Sequence, residues 1–136
     1  MNRVVHFEIH AENPERAAKF YAEMFDWTIK EWAYPGVEVK DENRYWLVTT
    51  GEEGAPGING GILFRKGKSP TGFEPITAFI CTVDVESVDE SLKLAVSLGG
   101  QISLPKMPIM GMGWLAYAKD TEGNIFGLMQ TDKKAE

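Results

Sequence analysis

Apolar and polar residues alternate along residues 3–11, with Val4, Val5, Phe7 and Ile9 set against His6, Glu8 and His10. A period of two predicts a β-strand. The next stretch, ENPERAAKFYAEMF, changes period. Ala17, Phe20, Tyr21 and Met24 recur at helical spacing, Asn13 suits the N-cap, and Pro14 and Glu15 suit the first turn. WTIKEW, YWLVTT and NGGILFRK predict three more strands. A YPG turn and a GEEGAPG loop separate them, and Gly60 and Gly61 read as turn chemistry after Asn59. The segment GKSPTGFEP, rich in Pro and Gly, reads as a linker.

The pattern then begins again. ITAFICTV predicts a strand. DVESVDESLKLAVSLGG predicts a helix capped by Asp84, with Val88, Leu92, Ala95 and Leu98 on one face and Gly99 as its stop. GQISL predicts a short strand, PKMPIMGMG a loop, WLAYAKD a strand, TEGN a turn and IFGLMQ a last strand. Each half is strand, helix and three strands, an internal repeat. The expected fold class is therefore α+β, with two paired βαβββ modules forming a curved sheet around a cup-shaped cleft. Module 1 covers about 1–66, the linker about 67–75 and module 2 about 76–132 of one single domain.

Composition narrows the functions. The chain has 136 residues, 43% hydrophobic and 25% charged, with a net charge of −6. That acidity and the lack of a basic stripe exclude nucleic acid as a partner. KK at 133–134 lies in a polar tail. No apolar stretch reaches membrane-spanning length, so no membrane partner is expected, and MNRVVHF lacks the apolar core of a signal peptide, so the expected location is cytoplasmic. Cys81 is the only cysteine, which rules out an internal disulfide, and its setting in FICTV predicts a buried, inert strand residue. The phosphate-loop pattern and the G-x-S-x-G elbow are both absent.

VVHFEIHAENPERAAKFYAEMFDW, NGGI at 59–62 and GMGWLAYAKDTEGNIFGLMQ together resemble the vicinal oxygen chelate superfamily, which includes glyoxalase I, bleomycin resistance proteins and extradiol dioxygenases. The resemblance spans essentially the whole chain. It implies a homodimer, and in metal-dependent members one divalent ion held by four ligands. Position by position, it implies a ligand at His6 but places Ala78, Gly127 and, by count from Gly57, Gly61 at the other three. Only His6 carries a donor, and one imidazole does not hold a divalent ion against water. No metal or other cofactor is therefore expected. The alternative is one divalent metal ion in a lyase, isomerase or dioxygenase of the same superfamily.

In a strand His6, Glu8 and His10 share one face, neighbours about 6.6–6.8 Å apart along the backbone. Three readings remain for this row. It chelates a metal with donors from elsewhere, it lines the cleft and binds a small organic molecule, or its members satisfy one another and face water. The metal-free binding reading leads. It takes His6, Glu8, Trp46, Trp114 and Met112 as substrate-binding residues and assigns no catalytic residue. Trp46, Trp114 and Tyr117 equally suit a core. MPIMGMGW, with three Met and two Gly, reads either as a flap over the cleft or as an ordinary connection. Sequestration and an unassigned reaction on a small metabolite both fit this reading.

Overall fold

In the computed structural model, which describes residues 3–33, 35–36, 38–76 and 79–136, the first strand, β1, spans His6–Ala11. The alternation runs on upstream of it, but Arg3–Val5 form no strand, and Val4 and Val5 are exposed. The cause is the partner strand β4 (Asn59–Phe64), whose parallel register begins with His6 opposite Asn59, so earlier residues have no ladder to join.

Helix α1 (Pro14–Phe25) starts as its sequence dictates. The Asn13 side chain accepts the Arg16 N–H at 3.0 Å, and Pro14 fills the first turn. It ends at Asp26, which takes a left-handed conformation. Ala17, Phe20, Tyr21 and Met24 are buried. Two more strands follow, β2 (Thr28–Glu31) and β3 (Tyr45–Thr49). The sheet order is β1-β4-β3-β2, with β1 and β4 parallel and the other pairs antiparallel. On β3, Trp46 and Val48 are buried while Leu47 and Thr49 are exposed, so one sheet face packs and the other is open. Gly60 and Gly61 lie inside β4 rather than in a turn.

The chain divides into two compact units, residues 1–69 and 70–136. The second unit repeats the topology with β5 (Thr82–Asp84), α2 (Val88–Ser97), β6 (Gln101–Ile109), β7 (Gly113–Lys119) and β8 (Ile125–Thr131), in the order β5-β8-β7-β6. The fold class is thus α+β, as the repeat predicted. Val88, Leu92, Ala95, Ala116, Ala118, Phe126 and Leu128 form this unit's core.

Several local expectations are corrected in the second unit. The strand predicted over 76–83 is short. Thr77 and Ala78 lie outside the described residues, and Phe79–Cys81 belong to no strand. Gly127 still donates to the Cys81 carbonyl at 2.9 Å, but β8 then runs out into the turn before Ile125. Cys81 is consequently exposed rather than buried. The cap of α2 is Ser87, which accepts the Glu90 N–H, and not Asp84. Asp84 still pairs with Met129, and Val85 donates to the Met129 carbonyl, so the chain leaves the sheet later than expected.

The predicted loop over 105–113 is largely strand. β6 runs through it with register shifts between Ile102 and Leu104 and between Leu104 and Met107. These irregularities let an edge strand carry Pro105 and Pro108, which cannot donate to a ladder. Only Met110–Met112 form the turn, closed by Met112 N–H to the Ile109 carbonyl. At the opposite hairpin Asp120 accepts the backbone N–H groups of Glu122 and Asn124, which fixes the TEGN turn. Among the described residues no helix is long and apolar enough to cross a membrane.

Candidate functional site

Strand alternation sends Phe7 and Ile9 toward the packed face of the first unit and His6, Glu8 and His10 to the open face. The register sets Glu8 beside Gly61 on β4, and Gly61 beside Leu47 on β3. Tyr45, at the start of β3, is on the same open face. Its ring crosses β4 over Gly61, where a Cβ would collide with the phenol ring and hydroxyl. Only glycine leaves that path free. The neighbouring Gly60 serves the other face, where a Cβ would meet the Phe7 ring.

The Tyr45 hydroxyl ends between two members of the β1 row. It lies 2.9 Å from His6 Nε2 and donates to Glu8 Oε1 at 3.3 Å. A phenol has one proton, so with that proton on Glu8 the His6 ring donates to the Tyr45 oxygen. The other Glu8 oxygen is 3.7 Å from His10 Nε2. Burial, followed by the Glu8 charge and the Glu8 hydrogen bond, raises the Tyr45 pKa above the ordinary phenol value. The site is therefore a neutral phenol shared by an imidazole and a carboxylate, spread over three strands.

Trp46, also expected at the site, falls elsewhere. Trp46 is 5% exposed and points to the opposite, packed face. It meets the Phe64 ring at 6.1 Å, and the Arg44 guanidinium lies 4.7 Å from its ring centroid. Arg44 is in turn held by Glu31 at 2.7 Å and Glu15 at 3.0 Å. The expectation that Trp46 joins His6 and Glu8 is thus corrected, because adjacent positions on a strand face opposite ways. Trp114 and Met112 belong to the second unit. The Trp114 indole N–H donates to Asp132 at 3.1 Å under the Lys106 ammonium, and Met112 is exposed at the β6–β7 turn.

Tyr45 was not singled out by sequence reasoning. Its one legible signal is its phase in YWLVTT, which sets it on the open face with Leu47 and Thr49. Gly127, the counterpart of Gly61 in the second unit, also has a tyrosine beside it. A Cβ there would lie 2.5 Å from Thr82 Oγ1 and 3.1 Å from the Tyr117 ring.

Among the described residues no group of three His, Cys, Asp or Glu side chains is placed to hold an ion. The first unit also has a depression of about 430 Å³ at the start of α1, bordered by Glu12, Glu15, Arg16, Arg44 and Phe64. It lies on the packed side of the sheet, with charges of both signs.

No family model and no curated protein matches this chain. Solved structures do. The fosfomycin resistance protein FosX from Listeria monocytogenes, solved with Mn(II) and sulfate, is 16% identical with a TM-score of 0.67, over 97% of this chain and 92% of that one. A glyoxalase I from Zea mays is 22% identical with a TM-score of 0.69, over 96% of this chain and 45% of that one. A glyoxalase/bleomycin resistance protein/dioxygenase family enzyme from Burkholderia phytofirmans is 13% identical with a TM-score of 0.65, over 93% and 97%. These likenesses establish the fold, which this chain shares with those proteins. At such identities they establish nothing about the chemistry.

Proposed function

We propose that this chain binds a small organic molecule on the open face of its first sheet, through His6, Tyr45 and Glu8, and that it does so without a divalent metal. One observation carries the reading, the Tyr45 hydroxyl lying over Gly61 and bonded to His6. The resemblance places metal ligands at both His6 and Gly61. Here the first is engaged by a phenol and the second has no side chain. The remaining two positions are Gly127, without a donor, and Ala78, outside the described residues. This set does not fit an ion that needs several donors. What it offers is a hydrogen-bonding row beside apolar Leu47 and Leu63, the mixture of polar and apolar surface that small-molecule sites use.

The reading takes the working form to be a cytoplasmic homodimer. Phe73 and Phe79, 94% and 97% exposed, are apolar surface of the kind a second copy covers. The binding claim is tested by screening a metabolite library by thermal shift and mapping each hit by amide NMR. Hits are expected to move the Glu8, Tyr45 and Gly61 amides and to bind more weakly to Tyr45→Phe. Hits that map elsewhere and ignore that substitution overturn it.

A further inference from the structure

Glu8 has no cation fixed beside it among the described residues; Lys30 shares the open face but lies opposite Leu47, at the far end of the Glu8–Gly61–Leu47–Lys30 row. Glu8 receives the Tyr45 hydrogen bond and faces His10 at 3.7 Å, an ion pair only when that ring is protonated. Among the described residues no lysine or arginine pairs with it. Glu31 is a strand carboxylate of the same sheet but on its other face, and Arg44 grips it with two hydrogen bonds at 2.7 and 2.9 Å.

The surroundings of Glu8 select the kind of cation. The Tyr45 ring lies over Gly61 beside it, Leu47 follows in the same cross-strand row, and Leu63 adjoins Tyr45 in the register. A metal ion needs several converging donors, and among the described residues no group of three, the imidazoles of His6 and His10 included, is placed to hold one. An organic ammonium needs one carboxylate for its charge and carbon or an aromatic face for the rest, which this surface does supply. An organic anion would meet Glu8 in a chain whose net charge is already −6.

We propose that the His6–Tyr45–Glu8 face recognises an organic cation, an alkyl- or arylammonium whose charge meets Glu8 and whose carbon skeleton lies on Tyr45 and Leu47. This rests on the binding reading above and names its ligand class.

The test uses three probes of similar size and different charge: 2-phenylethylammonium, 2-phenylethanol and phenylacetate. Each is titrated into the full chain and followed by amide NMR. The ammonium is expected to shift the Glu8, Gly61 and Tyr45 amides and to bind about tenfold tighter than the alcohol, the scale of one charge-assisted hydrogen bond. Glu8→Gln should erase that preference, while Glu23→Gln, on the exposed side of α1, should keep it. Binding of the alcohol or the carboxylate at these amides as tightly as the ammonium overturns the cation class and leaves the binding face standing. Failure of the ammonium to shift these amides overturns the cation proposal, and the library hits then decide the binding face separately.

Discussion

The Tyr45 hydroxyl occupies the space where a side chain at Gly61 would begin, and from there it reaches His6 and Glu8 two strands away. Each residue therefore constrains the other. Gly61→Ala must push the ring off its hydrogen bonds or strain β4, and overpacking of this kind costs about 1–3 kcal/mol. In a Tyr45→Ala background the same change should cost less than half as much. Urea unfolding of the double-mutant cycle measures this coupling. Equal costs in both backgrounds would mean that the ring does not hold this place.

The Tyr45 phenol should ionise above the ordinary value of about 10. Burial is the main cause, with the Glu8 charge and hydrogen bond adding to it. The raised value means that the folded state resists ionisation. Tyr45 thus contributes fully to stability below its unfolded pKa, and that contribution falls away as pH rises toward its folded pKa. An ultraviolet titration of wild type minus Tyr45→Phe isolates the group. Its midpoint should drop when Glu8 is changed to Gln, and an unchanged midpoint would remove Glu8 from the network.

Glu74 offers an acid-side test far from the site. Its carboxylate accepts from the Thr71 and Gly72 backbone N–H groups and from the Thr71 hydroxyl. These bonds hold its pKa at about 2. A depressed carboxyl contributes above its unfolded value of about 4.3 and loses that contribution as pH falls through the folded one. Carbon NMR should show the Glu74 carboxyl titrating last among the glutamates. A midpoint near 4 would mean that the Thr71–Glu74 turn is not closed in solution.

Trp46 separates the two faces of the sheet. It is buried against Phe64 under Arg44, so Trp46→Ala should cost about 3–5 kcal/mol in urea unfolding. Under conditions where the variant is still folded, its affinity for hits on the His6 row should stay within about twofold of wild type, since adjacent strand positions face opposite ways. Lost affinity with unchanged stability would put Trp46 back in the binding surface.

The fold was legible because its signals are local. Asn13 before Pro14 marks the start of α1, the alternation in HFEIHA marks β1, and the repeat of strand, helix and three strands marks the architecture. The misreadings share a cause, which is that strand length depends on the partner. Arg3–Val5 have the right alternation and nothing to pair with. Residues 105–109 have two prolines yet extend β6, because bulges at a sheet edge absorb them. The site was half legible. His6 and Glu8 share a face through period two alone, whereas Tyr45 reaches them only through the order β1-β4-β3 and the gap left by Gly61. A contact across an intervening strand leaves no spacing in the sequence. Trp46 was misassigned because an aromatic on a strand marks a core or a cleft equally well, and only the phase of β3 relative to β1 decides between them.

The central claim is that the His6–Tyr45–Glu8 face works without a metal. Elemental analysis of purified, untagged protein tests it most directly, repeated after incubation with Mn, Fe, Ni, Co and Zn salts and desalting. The account predicts no stoichiometric ion under any of these conditions, and no change in metal content on His6→Ala. One retained ion per chain that His6→Ala abolishes would contradict it and would place a metal-dependent lyase, isomerase or dioxygenase activity first.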